Sequence, residues 1–260
     1  MLGRGWPGFR TRPQNAWFPN LPKQREAKTA MDWRVSQADS RDRYLTKFDG
    51  AEADRYDQSV GQLSRDDEAA YLSDLRRLLQ LREGMRVLDV GAGTGVLCGI
   101  LTRVPGLTIT AMEPAPAMLE KLRSKPDLHD VATVEGFCDG LGDRHYFKEA
   151  QFNVIASRQL VNGLFDPLAA FRNWHHWLSP DGAVVVIDGL YGRAAWTGIW
   201  EEDVDILPLS ACQSTALAPY LLENAGFRVE AVQSMDAVNG LPSTKTKRYA
   251  VIARKHLAAV

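Results

Sequence analysis

The chain has 260 residues, of which 45% are hydrophobic and 24% charged, and its formal net charge is −1. This suits one α/β domain with extra helices, or two small domains, and excludes a whole-chain electrostatic footprint for nucleic acid. No apolar run approaches bilayer length, so no membrane partner is expected, and Cys98, Cys138 and Cys212 form neither metal-ligand spacing nor a disulfide framework.

Free thiols and the lack of a signal-peptide core favour a reducing, cytoplasmic setting. Residues 1–30 hold Pro7, Pro13, Pro19 and Pro22 among Trp6, Phe9, Trp17 and Phe18, with Arg4, Arg10, Arg12, Lys23, Arg25 and Lys28 against Glu26 alone. They read as a disordered or loosely docked basic tail; the alternative is a biological start at Met31. Residues 31–82 read as N-terminal helices forming a lid. Tyr71, Leu72, Leu75, Leu78 and Leu79 recur at helical spacing, and Ser64 opens that helix with Asp66, Asp67 and Glu68 in its first turn and Arg76 and Arg77 near its end.

After Gly84 the pattern alternates. Arg86–Val90 is a strand, Val96–Arg103 a helix, Leu107–Met112 a strand and Pro114–Ser124 a helix. Val131–Glu135 and Phe152–Ser157 are further strands. Asp166-Pro167 caps a helix through Leu178, and Ser179-Pro180-Asp181-Gly182 is a turn. Ala183–Asp188 is a buried strand, Thr215–Asn224 a helix ended by Gly226, and Phe227–Val232 and Arg248–Arg254 are final strands with no helix between them. Strand–helix alternation predicts a mostly parallel sheet with helices on both faces; the last two strands, lacking a crossover, should pair antiparallel. Ligands bind such sheets outside the carboxyl strand ends, where the glycines after the first strand lie.

Gly91, Gly93 and Gly95 permit positive φ and bring bare backbone to a ligand, and the following helix offers unpaired N–H groups. A tight turn that binds nothing is the alternative. The spacing Gly-x-Gly-x-Gly departs from the Gly-x-Gly-x-x-Gly of dinucleotide sites. Asp89 would repel a pyrophosphate and suit a ligand bearing ammonium and sulfonium; it could also serve only as a helix-capping acid. Glu113, ending the second strand, can accept from two ribose hydroxyls.

Val87-Leu88-Asp89-Val90-Gly91-Ala92-Gly93-Thr94-Gly95 resembles motif I of the class I S-adenosylmethionine (SAM) dependent methyltransferases. Ala111–Pro114, Phe152–Ser157, Leu178–Gly182 and Asn224–Phe227 agree with that family in order and spacing, so the resemblance spans about residues 45–255. It implies an α/β, three-layer Rossmann-like sandwich: a seven-stranded, mostly parallel sheet whose last strand is antiparallel, with an N-terminal helical lid. Residues 83–260 would form the SAM-binding domain, with a substrate-covering insert at about 189–212.

By position, the resemblance implies that Asp89 holds the methionine end of SAM, and that Gly91, Ala92 and Gly93 admit it to the backbone. Glu113 would bind the ribose, with Pro114 and Met118 flanking ribose or adenine. Ser157 and Arg158 would face sulfonium and acceptor, and Tyr56 with Asp57 would close over the site. The family's Gly-Asp-Ala after the third strand is here Gly136-Phe137-Cys138-Asp139, so adenine would meet Cys138 and Asp139 or rest on Phe137.

SAM's methyl is already activated, so the protein must chiefly align an acceptor, exclude water and, for some acceptors, supply a base. The candidates are Arg158, Tyr191 and His145, the last of which reads more readily as a solvated loop histidine; Trp196 and Trp200 either wall the acceptor or merely cover the insert. His175 and His176 beside Trp174 and Trp177 read as packing, and Glu201, Glu202, Asp203 and Asp205 as a solvated face or, alternatively, as a charge that attracts an amine substrate. The sequence has no Asn/Asp-Pro-Pro-Tyr/Phe segment after the fourth strand, no Pro-Cys nucleophile and no carboxylate set for magnesium, so no metal is expected. A small-molecule acceptor methylated on O or N is favoured. RNA methylation using the basic tail and a non-catalytic methyltransferase-like binding protein are the alternatives.

Overall fold

The computed structural model describes residues 33–201 and 203–255. The expected tail, residues 1–30, lies outside the described residues. The chain divides into two units, Met1–Ala38 and Asp39–Val260. Of the first, the described part is the opening of helix α1 (Trp33–Lys47). The second holds the rest of α1 and every element that follows.

Helix α2 (Gly50–Ser59) starts where the Asp49 carboxylate accepts the Glu52 N–H at 3.0 Å. Helix α3 (Arg65–Leu78) begins with a capping box: Ser64 Oγ accepts the Asp67 N–H at 3.1 Å, and the Asp67 carboxylate accepts the Ser64 N–H at 3.2 Å. The sequence located that start to the residue, because the cap is a local pattern.

There follow β1 (Arg86–Val90), α4 (Val96–Leu101), β2 (Thr108–Glu113), α5 (Pro116–Ser124), β3 (Ala132–Glu135) and β4 (Phe152–Arg158). Next come α6 (Pro167–Trp177), β5 (Leu178–Gly189), α7 (Leu217–Asn224), β6 (Phe227–Ser234), α8 (Asp236–Asn239) and β7 (Arg248–Lys255). The strands form a seven-stranded sheet of order β3-β2-β1-β4-β5-β7-β6. Only β7 runs against its neighbours β5 and β6. This is the expected Rossmann-like architecture, and its switch point lies between β1 and β4.

Alternate strand residues feed two cores. Val87, Ile109, Val185 and Ile187 meet Tyr71 and Leu75 of α3 and Leu97 and Ile100 of α4 on one face. Leu88, Val184 and Val186 meet Phe171, Trp174 and Trp177 of α6 and Leu222 of α7 on the other. Trp174 and Trp177 are fully buried, and His175 beside them is half-buried with its ring 5.2 Å from that of Phe227.

Two expectations are corrected. Ser179–Gly182 is not a turn between elements but a bulge inside β5, where pairing with β4 jumps from Phe152–Leu178 to Val154–Ala183. A Cβ on Gly182 would lie 2.6 Å from Leu178 Cγ, so glycine lets the bulge close. Second, α8 does intervene between β6 and β7. It is one turn long, buries Val238, and its Val238 N–H donates to the Asp74 carboxylate at 3.1 Å. Too short to cross the sheet, it leaves the antiparallel pairing intact.

Candidate active site

The glycine turn after β1 has φ of 67° at Gly91, 55° at Gly93 and 93° at Gly95. All three lie in the left-handed region that favours glycine. Its N–H groups, however, are largely taken. Gly91 and Ala92 both donate to the Met112 carbonyl, at 2.8 and 3.0 Å, and Gly95 donates to Ala92. Gly93 donates to Glu113 Oε2 at 3.0 Å. The turn itself therefore presents bare backbone with a carboxylate pinned against it.

Glu113 is almost wholly buried. Its Oε1 accepts from Tyr44 Oη and from the Ala115 N–H, each at 3.0 Å. Burial pushes its pKa up to about 6, against the pull of these donors. Asp89 is buried too and pushed up to about 7, chiefly by desolvation; Cys98 Sγ donates to its Oδ2 at 3.1 Å, and Oδ1 has no partner. Thr94 Oγ1 and Ser157 Oγ are likewise buried without partners. These orphaned polar atoms lie at the ends of β1 and β4 and in the turn that follows β1.

A cavity of about 320 Å³ opens over the carboxyl strand ends. Its floor is Val90, Gly91, Gly93, Glu113 and Pro114, with Met118 of α5 and Phe137, Cys138 and Asp139 after β3. Arg158, Gln159 and Tyr191 line the side where β4 and β5 end. The roof brings α1 and α2 against the insert. Arg41 binds Asp139 at 2.8 Å and Asp143 at 2.6 Å and lies 4.6 Å over the Phe137 ring. Lys47 pairs with Asp203 and sits 4.4 Å over Trp200, whose ring lies 5.4 Å from Phe48.

The expected residues separate into three groups. Tyr56, Gly91, Gly93, Glu113, Pro114, Met118, Cys138, Asp139, Arg158 and Tyr191 meet at the cavity. Asp89, Ala92 and Ser157 lie beneath its floor, outside the lining. His145 stands apart: it is exposed, its Nδ1 is 2.6 Å from the Gly142 carbonyl, and its ring stacks on Tyr146. The structure therefore gives no geometric support to His145 as a base. Asp203 is no solvated acid either, because Lys47 neutralises it where both are mostly buried. Trp196 and Trp200 both line the cavity. Among the described residues no group of three or more His, Cys, Asp or Glu is placed to hold a metal, and no helix is long and apolar enough to cross a membrane.

A family model for a methyltransferase domain matches residues 63–232. The chain belongs to this family, the class I SAM-dependent methyltransferases. The chain is 26% identical over 121 residues to the demethylmenaquinone methyltransferase of Chlorobaculum tepidum, covering 46% of this chain and 47% of that one. It is 31% identical over 101 residues to a ubiquinone biosynthesis O-methyltransferase of Neisseria meningitidis, covering 39% and 42%. The chain thus spans under half the length of the curated relatives it matches. A solved SAM-dependent methyltransferase from Aquifex aeolicus shares the fold, with a TM-score of 0.59 at 21% identity over 80% of this chain and 98% of that one.

Sequence reasoning missed Arg41, Tyr44, Lys47 and Phe48 of the cavity's roof. Their three- and four-residue spacing puts them on one helix face, but that face is charged and aromatic and reads as solvated. It also missed Gln159 and Arg248, which no motif marks.

Proposed function

We propose that the chain binds SAM in this cavity and transfers its methyl group to a small, largely apolar ring-bearing acceptor. The single observation that carries the reading is the Gly91–Gly95 turn, with positive φ throughout its glycines, opening beside Glu113 onto one cavity. The residues fit the cofactor. A Cβ on Gly93 would meet only Met118 at 3.5 Å and Tyr56 at 3.9 Å, so this backbone faces open space. Glu113 accepts three hydrogen bonds where a carboxylate has about four positions. A ribose hydroxyl takes the remaining one, and a second replaces Tyr44. Unpaired Asp89 Oδ1 supplies negative charge below the cationic end of the ligand.

When bound, SAM supplies a methyl group on a positively charged sulfur. The chain's own part is positional. Met118 and Phe137 flank the nucleoside, Arg158 and Tyr191 stand where the acceptor approaches, and α1, α2 and the insert keep water out. Tyr56, Leu160, Leu164, Phe165, Trp196 and Leu207 give the acceptor side apolar and aromatic walls. The names of the two bacterial relatives, one for demethylmenaquinone and one for ubiquinone biosynthesis, accord with a ring acceptor.

Calorimetric titration with SAM tests the reading. Saturable binding is expected, and Glu113→Ala should weaken it by roughly tenfold or more, about one lost charge-assisted hydrogen bond. No saturation at millimolar SAM would overturn the assignment.

A further inference from the structure

One cation of the cavity is uncompensated. Of the charged side chains that line it, Arg41 pairs with Asp139, Lys47 pairs with Asp203, and Glu113 already accepts three hydrogen bonds. Arg158, the last residue of β4, has no such partner. Its guanidinium lies 5.2 Å from the Tyr71 ring centroid, its Nε is buried without a hydrogen bond, and no carboxylate among the described residues pairs with it. A guanidinium offers five N–H donors and no acceptor, so what this one lacks is an anion.

Tyr191, just beyond β5, adds a donor to the same side. Gln159 Nε2 donates to its hydroxyl oxygen at 2.6 Å, and Arg248 Nη1 of β7 donates from the other side. With both lone pairs taken, the Tyr191 O–H can only donate, and the cation beside its oxygen strengthens that donation. Gln159 is held at φ 54°, a left-handed conformation that is costly for a residue with a side chain. Its Oε1 is sealed from solvent, so its amide serves Tyr191 rather than a ligand. Arg158, Tyr191 and Arg248 all act electrostatically on the Tyr56 phenol, which places them around one stretch of wall.

We infer that the acceptor is a ring acid, its carboxylate held by the Arg158 guanidinium and the Tyr191 hydroxyl, with Gln159 and Arg248 as the positioning residues of Tyr191. The inference rests on the methyl-transfer reading above and names the class of its acceptor. Leu160, Leu164, Phe165 and Trp196 take the ring, and the two donors take its charged edge. A carboxylate receives two guanidinium N–H groups in parallel and carries one charge against one free cation. A phosphate dianion would leave a charge unmatched, and an ammonium would meet Arg158 as a like charge. Bound SAM brings a positive sulfur to the cavity as well, which favours an anionic acceptor further.

The test uses the full chain saturated with S-adenosylhomocysteine, after SAM binding has been measured by calorimetry. The probes share one ring and differ in charge: 2-naphthoate, the neutral 2-naphthamide, the cationic 2-naphthylmethylamine and 2-naphthyl phosphate. Binding is read from tryptophan fluorescence, since Trp196 and Trp200 line the cavity. On the unaltered protein 2-naphthoate should bind about tenfold or more tighter than 2-naphthamide, and the amine weaker than both. Arg158→Met should remove most of the preference for naphthoate over naphthamide, and Tyr191→Phe should weaken naphthoate by about three- to tenfold. Equal binding of naphthoate and naphthamide, or tighter binding of the amine or the phosphate, would overturn the inference without reference to any variant. Loss of S-adenosylhomocysteine binding in a folded Arg158→Met protein would assign the guanidinium to the cofactor's own carboxylate and overturn it too. So would cofactor binding with no binding of any naphthyl probe, a result that leaves the cofactor reading intact; absent SAM binding defeats that reading itself.

Discussion

The floor of the cavity, where β1, β2 and β4 end, is built by backbone; its roof, over Arg41–Phe48 and the lining residues between Tyr191 and Leu207, is built by side chains. In the floor, positive-φ glycines and short carbonyl bonds fix the geometry within a few residues of sequence. In the roof, Lys47 meets Asp203, and Tyr44 meets Glu113 across 69 positions. Backbone devices tolerate few residue types and leave a motif. Side-chain pairs tolerate many and leave none. The floor should therefore be brittle to small changes and the roof forgiving in stability but sensitive in opening.

The largest effect is expected at Gly95. A Cβ there would stand 2.6 Å from Leu128 Cδ1 and 2.9 Å from Leu122 Cγ, at φ 93°. Gly95→Val combines a forbidden conformation with overpacking and should cost about 3 kcal/mol in urea unfolding. Gly93→Val separates folding from function. Its side chain enters the open cavity, so SAM binding should vanish although stability falls by only about 1–2 kcal/mol. Equal stability losses at the two glycines would mean that the floor is not divided between packing and ligand space.

This contrast explains what was legible. The strand–helix alternation, the α3 cap at Ser64, the Asp166 cap of α6 and the glycine turn all follow from local periodicity or single-residue conformational limits. The β5 bulge was not legible, because Ser-Pro-Asp-Gly makes a turn in isolation and only pairing with β4 absorbs it. His145 looked available because it lies in a loop near the ligand edge, but no pattern shows which way a loop side chain faces. Gln159 carries its signal in a φ value, and Arg248 reaches Tyr191 only because β7 inserts beside β5.

A smaller effect comes from the acids buried in and near the floor. Asp89 is raised to about 7, while Glu113 and Asp188 are raised to about 6. A carboxyl that holds its proton more tightly folded than unfolded contributes most at low pH. The contribution is lost as pH rises from the unfolded value through the folded one. Stability of the ligand-free protein should thus fall between about pH 4 and 7, by about 1.4 kcal/mol per pH unit for each acid that titrates alone. Between pH 6 and 7 Glu113 and Asp188 finish ionising, and Asp89 contributes the largest share of the slope that remains. Asp89→Asn should make the curve shallower across about pH 4 to 7, with the largest proportional loss of slope above pH 6. A wild-type curve that rises from pH 5 to 7 would show that desolvation does not govern this floor.

The smallest global effect is expected in the roof. Lys47 and Asp203 are largely buried, and Lys47 also lies over Trp200, so the pair holds α1 against the insert. Asp203→Asn keeps the shape but removes the charge, and Lys47 regains water by swinging outward, because the roof can open without disturbing the sheet. The unfolding midpoint should therefore change by less than about 1 kcal/mol. Amide exchange should accelerate in residues 39–59 and 198–207 and stay unchanged in β1, β4 and β5. If saturating SAM is bound, exchange in 39–59 should slow again, since the ligand replaces the lost latch with contacts to Tyr44 and Tyr56. Acceleration spreading into the strands would instead show the roof to be part of the folding core, and the division between a backbone floor and a side-chain roof would fail.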